Sequence, residues 1–204
     1  MNDPASHFDN IYRNAGGDAV FVPWADLAPN PHLLEWLGRA DAPAAGIRAL
    51  VVGCGLGDDA EELARRGYAV TAFDIAPTAV EWARGRFPGS PVAYRVADLL
   101  APPAEWAGAF DLVLESYTVQ ALPRAMRARA VAGVRGLVAP GGRAVVIARR
   151  FLEGMNAESG PPWPLTEAEL ALFAEPPLRV LSVGRVADHT GERTARWRAE
   201  FIRE

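Results

Sequence analysis

Glycines at positions 53–57 form the first pattern in the chain that could do chemistry. The segment Gly53-Cys54-Gly55-Leu56-Gly57 lies between a predicted strand, Arg48 to Val52, and a predicted helix, Asp58 to Arg66. Glycines let a ligand approach the backbone closely, and the start of a helix offers unpaired N–H groups. This geometry suits a nucleotide-like ligand at the carboxyl edge of a parallel sheet. A plain tight turn is the alternative, because short glycine motifs are weak signals.

Charge beside the loop separates two classes of cofactor. The dinucleotide fingerprint G-x-G-x-x-G, counted from Gly53, requires its third glycine where Asp58 stands. Asp58 and Asp59 at the helix start would also repel a pyrophosphate. S-adenosylmethionine carries a sulfonium and an ammonium and no phosphate. The pattern therefore favours S-adenosylmethionine over NAD as the cofactor.

Two carboxylates end neighbouring predicted strands at the same edge. Asp74 ends the second strand about 20 residues after the glycine loop, where a carboxylate can accept both hydroxyls of a ribose. Asp98 follows the third strand and could accept from an adenine amino group, with Ile75 and Leu99 packing on the ring. The alternatives are an N-cap for Asp74 and a loop cap for Asp98.

The acceptor side is predicted after the fourth strand, Phe110 to Leu114. Glu115 or Tyr117 could orient or deprotonate an acceptor, which makes them the candidate catalytic residues. Glu115 and Ser116 are also candidate cofactor contacts. The alternative to catalysis for Glu115 is that it accepts a hydrogen bond from a backbone loop or from the cofactor ammonium. Arg149 and Arg150 end the fifth strand and could hold an anionic acceptor, or could be a solvated strand end.

Trp24 and Cys54 complete the candidate cofactor site, which comprises Trp24, Gly53, Cys54, Gly55, Gly57, Asp74, Ile75, Asp98, Leu99, Glu115 and Ser116. Trp24 lies in a Pro-rich loop and could stack near a sulfonium, since cations are attracted to aromatic faces; burial in the core is the alternative. Cys54 favours a structural role as a small buried residue beside the glycines.

Strand-like and helix-like segments alternate from Arg48 onward, which predicts a parallel sheet with helices on both faces. Leu178 to Val186 and Thr194 to Ile202 look extended and predict a C-terminal hairpin. The predicted fold is α/β: a Rossmann-like mixed seven-stranded sheet, parallel except for an antiparallel C-terminal edge strand. We expect one domain, with a helical lid segment (1–46), a cofactor-binding core (47–150) and an acceptor-side loop, helix and hairpin (151–204).

Composition narrows the function classes. The net charge is −4, and the sequence contains no long run of Lys or Arg. A nucleic-acid partner is therefore not expected. The single cysteine and three scattered histidines predict neither an internal disulfide nor a metal site. The sequence contains no apolar run of about 18 residues, the length that would predict a membrane span. Met1 to Asn10 lacks the apolar run of a signal peptide. We expect a cytoplasmic monomer or homodimer acting on a small molecule.

The order of these motifs resembles class I S-adenosylmethionine-dependent methyltransferases over most of the chain. Within them it is similar to the thiopurine, thiol and halide methyltransferase-like group. That resemblance rests on Leu50 to Gly55, Phe110 to Val113 with the later Ala121-Leu122-Pro123, Trp24 to Leu33, and Gly160 to Leu165. Val52 departs from the proline of that group, and Glu115-Ser116 departs from its usual Asp-Arg or Asp-Tyr.

The resemblance implies methyl transfer from S-adenosylmethionine to a small-molecule acceptor. A thiol has a pKa near 8.5 and needs little base catalysis, and no His or Lys stands at this edge. A thiol or another soft nucleophile is therefore the favoured acceptor. The alternatives are O-, N- or C-methylation in bacterial secondary metabolism, and a non-catalytic cofactor-binding module.

Overall fold

The computed structural model describes residues 3–39, 45–156, 158–187 and 196–204. The α-helices in these ranges are α1 (Pro4–Asn14), α2 (Pro31–Leu37), α3 (Asp58–Arg65), α4 (Pro77–Arg86), α5 (Arg124–Leu137) and α6 (Glu167–Ala171). The strands are β1 (Arg48–Val52), β2 (Ala69–Asp74), β3 (Ala93–Val96), β4 (Phe110–Ser116), β5 (Val138–Arg149), β6 (Leu178–Val186) and β7 (Arg196–Arg203). No helix in the described ranges has the length and apolar character needed to cross a membrane.

The strands form one mixed sheet in the order β3-β2-β1-β4-β5-β7-β6, with the helices around it. β1 pairs with β2, β2 with β3 and β4 with β5 in parallel, whereas β7 runs antiparallel to both β5 and β6. The predicted Rossmann-like mixed sheet is confirmed. The antiparallel strand, β7, is not at the edge of the sheet as predicted. β6 forms the edge, and β7 lies between β6 and β5. The predicted hairpin connection, Asp188 to Glu192, and His189 fall outside the described residues.

The fold divides into two compact units, residues 1–101 and 102–204. In the first unit β1 is buried from Ala49 to Val52, as a parallel strand covered on both faces requires. Helix α3 places Ala60 and Leu63 in the core, and α4 buries Val80. The N-terminal helix α1 packs against α4, and the N–H of Thr78 donates to Asp9 Oδ1 at 2.9 Å.

In the second unit, β7 alternates as its sequence predicts. Trp197, Ala199 and Phe201 are each 1% exposed, and the residues between them are half-buried. Phe201 stacks on Phe173 with ring centroids 5.6 Å apart. The segment Thr166-Glu167-Ala168-Glu169 has the pattern of a capping box. The structure confirms it, because Thr166 and Glu169 exchange side-chain to backbone hydrogen bonds at the start of α6.

Two strand boundaries differ from the sequence prediction. β4 continues through Glu115 and Ser116, which are therefore its last residues rather than the loop after it. The turn Pro140-Gly141-Gly142 predicts a fifth strand from Ala144 to Ala148. Instead, β5 begins at Val138, before that turn, and its pairing with β4 shifts register between Phe110 and Leu112. A Cβ atom at Gly142 would lie 2.9 Å from the Phe110 carbonyl oxygen, so only glycine allows the strands to stay adjacent through this irregularity.

Candidate active site

The glycine loop between β1 and α3 is shaped by contacts that exclude side chains. Gly55 (φ 50°) and Gly57 (φ 96°) adopt left-handed conformations. A Cβ atom at Gly57 would overlap the Tyr94 hydroxyl, and one at Gly55 would lie 3.2 Å from the Tyr12 hydroxyl. The N–H of Cys54 donates to the Phe73 carbonyl at 2.8 Å, which ties the loop to β2. The two tyrosine hydroxyls therefore occupy the space where side chains at Gly55 and Gly57 would lie, and they hold the loop in place.

Cys54 itself is half-buried, and burial raises the pKa of its thiol well above the ordinary value. A protonated, partly buried thiol is a poor nucleophile. This environment fits the structural role expected from the sequence.

Asp74 organises the loop with both carboxylate oxygens. It is 7% exposed, and it accepts from the N–H of Gly55 (Oδ2, 2.9 Å) and of Ala76 (Oδ1, 3.0 Å). Burial raises the pKa of this carboxyl, while the backbone donors oppose that rise. Each carboxylate oxygen has two acceptor sites. Asp74 therefore caps the turn before α4 and keeps acceptor capacity for ligand hydroxyls, so the two sequence interpretations are compatible.

Asp98 and Leu99 follow β3, and Ile75 follows β2, in the same unit. Asp98 is half-buried, and its Oδ1 accepts from the N–H of Leu100 at 2.8 Å. Its Oδ2 has no hydrogen-bond partner within the described ranges. Leu99 is buried and Ile75 half-buried. The arrangement offers one free acceptor beside apolar side chains, which suits the edge and face of a purine.

The negative charge at the start of α3 is smaller than the sequence suggests. Arg86 forms a two-pronged ion pair with Asp58, with both N···O distances 2.8 Å. Asp59 accepts from the N–H of Asn30 at 2.7 Å, and burial raises its pKa to about 6. The argument against a pyrophosphate therefore depends less on charge than on Asp58 occupying the place of the third glycine.

Tyr12 is a site residue that the sequence analysis missed. It is buried, and its hydroxyl accepts from Trp24 Nε1 at 2.8 Å. The Tyr12 and Trp24 rings meet edge to face with centroids 5.8 Å apart. Burial and the nearby Asp74 carboxylate raise the pKa of the Tyr12 phenol. Trp24, 44% exposed, is thereby fixed to α1 in the unit that carries the glycine loop.

Removing the Tyr12 hydroxyl tests whether it fixes Trp24. We expect Tyr12→Phe to lower the free energy of unfolding by about 1 kcal/mol, because the Trp24 indole N–H loses its acceptor. Urea unfolding measures this. Tyr68→Phe is the matched control, since Tyr68 is also buried and its hydroxyl has no hydrogen bond among the described residues. Equal effects in the two variants would contradict a specific role for the Tyr12–Trp24 bond.

In the second unit, Glu115 is completely buried near the end of β4. Its Oε1 accepts from the N–H of Val119 at 2.8 Å, whereas its Oε2 has no hydrogen-bond partner within the described residues. Burial raises the pKa of this carboxyl to about 7, and the backbone donors at Val119 and Thr118 oppose that rise. The hydrogen bond from a backbone loop, which is the alternative role predicted for Glu115, is therefore present. One oxygen remains available as a proton acceptor.

Tyr117 follows β4 in a left-handed conformation (φ 62°), which is uncommon for a residue with a bulky side chain. Its N–H donates to the Ile147 carbonyl at 2.9 Å and so continues the pairing of β4 with β5. The Arg196 guanidinium carbon lies 5.7 Å from the centroid of the Tyr117 ring. Ser116, half-buried, accepts at its carbonyl from the Thr118 hydroxyl at 3.4 Å. Strained residues of this kind concentrate at functional sites.

Gln120 was also missed, and it joins the strand end to the loop that carries Trp163. Its Oε1 accepts from the N–H of Arg149 at 2.6 Å, and its carbonyl accepts from the N–H of Trp163 at 2.9 Å. The buried Arg127 donates to the Trp163 carbonyl and to Glu169. These bonds fix the backbone of Trp163 in the second unit. A buried Gln in a turn has no signal in the sequence that would reveal this role.

Residues 49–142 match a family model described as a methyltransferase domain. Two curated relatives are named ubiquinone biosynthesis O-methyltransferase. The protein from Xanthomonas axonopodis pv. citri is 46% identical over 88 residues (42% of this chain, 36% of the relative). The protein from Xylella fastidiosa is 36% identical over 121 residues (58% and 48%). The chain thus spans less than half the length of these relatives.

A solved structure has the same fold across almost the whole chain. It is the N-methyltransferase NodS of Bradyrhizobium japonicum WM9 in complex with S-adenosyl-l-homocysteine, with a TM-score of 0.75 at 21% identity. The match covers 98% of this chain and 99% of NodS. The chain therefore has the fold seen in NodS, and residues 49–142 are similar to methyltransferase domains.

Proposed function

We propose that this chain transfers the methyl group of S-adenosylmethionine to a hydroxyl group of a small-molecule acceptor. The methyltransferase domain match supports the transfer, and the names of the curated relatives favour oxygen as the acceptor atom. The thiol acceptor favoured by the sequence receives no comparable support. The structural observation that carries the choice of a hydroxyl is the buried Glu115 carboxyl with one unpartnered oxygen.

The first unit fits the cofactor in three respects. Gly53, Gly55 and Gly57 in the loop between β1 and α3 carry no side chain that would keep a ligand from the backbone. Asp74 keeps acceptor sites for the two ribose hydroxyls after satisfying two backbone donors. Asp98 Oδ2 is available to an adenine amino group, with Leu99 and Ile75 packing on the ring. When bound, S-adenosylmethionine supplies a methyl group activated by its positively charged sulfur.

Glu115 gives a hydroxyl acceptor the base that it requires. A phenol has a pKa near 10, so little phenolate exists at neutral pH, whereas a thiol is partly ionised there. A general base works best when its own pKa lies near the working pH. Glu115, with its pKa raised to about 7, meets that condition. It would take the acceptor proton on Oε2 while Oε1 keeps its bond to the Val119 N–H.

Tyr117 and Ser116 have supporting roles in the same proposal. The left-handed Tyr117 places an aromatic ring directly after the base, where it would orient an aromatic acceptor. Ser116 lies between them in the sequence, at the last position of β4. The acceptor would be a small molecule rather than a nucleic acid, since the net charge of the chain is −4.

An acceptor panel tests the proposed function. Methyl-labelled S-adenosylmethionine is incubated with catechols, monophenols, aryl and alkyl thiols, and aromatic amines. We expect the hydroxyl compounds to be methylated and the thiols and amines to react more slowly or not at all. The rate with a phenol should rise with pH through the pKa of Glu115 and then level off. Turnover of thiols with inert phenols would overturn the choice of oxygen. Tight NAD binding without S-adenosylmethionine binding would overturn methyl transfer.

A further inference from the structure

Two arginines stand directly opposite each other where β5 ends and β7 begins. Arg149 and Arg196 are paired residues of these antiparallel strands. Directly opposed residues project from the same face of a sheet and are close neighbours. Like charges in this arrangement repel each other and destabilise the pairing. This pair concentrates positive charge where β5 ends and β7 begins.

Arg149 has donors without a protein acceptor. Its Nε is buried without a hydrogen-bond partner, and its guanidinium forms no ion pair within the described residues. Arg143, on the same strand and face, instead pairs with Glu200 at 2.7 Å. Arg150 is held with its guanidinium carbon 5.2 Å from the centroid of the Trp197 ring. Leaving a buried donor unpaired is unfavourable, so Arg149 is suited to an acceptor supplied by a ligand.

The surroundings hold Arg149 in place beside an aromatic ring. Gln120 accepts from the backbone N–H of Arg149 at 2.6 Å. Arg196, the opposed residue, lies over Tyr117, which follows directly after Glu115 and Ser116. A guanidinium fork binds a planar carboxylate through two parallel hydrogen bonds. Arg149 thus provides the fork, Arg196 adds positive charge, and Tyr117 provides an aromatic face.

We propose that Arg149, supported by Arg196, binds a carboxylate of the acceptor, so that the acceptor class is a hydroxylated aromatic acid. This inference rests on the proposed function, because it places the charged group of the same acceptor whose hydroxyl faces Glu115. A carboxylate is the proposed anion, because its two coplanar oxygens match two parallel N–H donors of the Arg149 guanidinium.

The test compares 3,4-dihydroxybenzoate with its neutral analogue 3,4-dihydroxybenzamide. We expect wild-type protein to methylate the acid with a kcat/KM about 10- to 100-fold above that of the amide. Arg149→Gln should remove this preference by raising the KM for the acid, with little change for the amide. Arg149→Lys should retain part of it, because the charge remains without the fork. Arg143→Gln is the matched control and should behave as wild type.

Direct binding separates this inference from the proposed function. Calorimetry with S-adenosylhomocysteine present should show 3,4-dihydroxybenzoate binding that Arg149→Gln weakens, even if the hydroxyl is never methylated. Phenol turnover with equal use of acid and amide would overturn the carboxylate site and leave the proposed function standing. Tighter binding of phenyl phosphate than of benzoate would also overturn it. An equal loss with both substrates in a folded Arg149→Gln protein would mean a structural role only.

Discussion

Replacing Glu115 with Gln should lower the turnover of a phenolic acceptor by about 10²- to 10⁴-fold, the usual contribution of a general base. Gln has nearly the same shape and retains an oxygen that can accept from the Val119 N–H. It cannot take a proton from a hydroxyl. Binding of S-adenosylhomocysteine should change little, and calorimetry checks that the protein remains folded and competent. Glu175→Gln, at an exposed carboxylate paired with Arg135, is the control.

The pH dependence of Glu115→Gln distinguishes a base from a turn-forming residue. Burial raises the pKa of Glu115 from 4.5 to about 7, so the folded state holds this proton more tightly than the unfolded state. The resulting stability is fully present below about pH 4.5 and is lost as pH rises through about 7, by on the order of 3 kcal/mol. Glu115→Gln should remove this dependence from urea unfolding. It should also remove the rise in rate near pH 7. A variant that keeps the same kinetic inflexion would exclude Glu115 as the base.

Asp74→Asn should weaken S-adenosylhomocysteine binding by about 1.5 to 3 kcal/mol, the range for hydrogen bonds to a charged group. The carboxamide supplies one acceptor where Asp74 supplies two, so its NH₂ faces either the Gly55 N–H or the Ala76 N–H. The glycine loop then loses one attachment, and a ribose hydroxyl loses its acceptor. Calorimetry measures the affinity, and thermal unfolding shows whether the fold remains.

Asp18→Asn controls for the loss of a capping carboxylate elsewhere in the first unit. Asp18 accepts from the N–H of Val20 at 3.1 Å before the short 3₁₀ turn Ala19–Phe21. We expect cofactor affinity to be unchanged in this variant. A folded Asp74→Asn protein with wild-type affinity would show that Asp74 only caps the turn before α4.

The sequence predicted β1, α3 and the end of β2 at Asp74 almost to the residue, because each follows from a local pattern. Buried apolar runs indicate the strands, and Pro77 marks the start of α4. The sequence also indicated the glycine loop and Asp74, since a glycine-rich turn and a carboxylate at a strand end can be recognised without knowledge of the tertiary structure. The sequence could not predict that β7 lies inside the sheet. A hairpin has the same alternating pattern whether its first or its second strand forms the edge.

The missed site residues depend on contacts between distant segments. Tyr12 lies 43 positions before Gly55 in sequence, yet its hydroxyl stands over that glycine. Arg86 neutralises Asp58 from another helix, which the charge pattern of α3 alone could not show. The buried state of Glu115 follows from packing at the end of β4. Residue types therefore suggested the chemistry, whereas long-range packing set the protonation and the neighbours of each group.

The order of strands in the second unit determines when its part of the sheet can form during synthesis of the chain. β7 follows β6 in the chain, yet it lies between β5 and β6. Until residues 196–203 leave the ribosome, Val145 to Ala148 of β5 have an unpaired, apolar edge, and β6 has no neighbour. Unpaired strand edges in partly folded chains recruit other chains and lead to aggregation. This half of the sheet therefore closes only once residues 196–203 are available, and a nascent chain stalled before β7 would be a natural client for a chaperone that shields open strand edges.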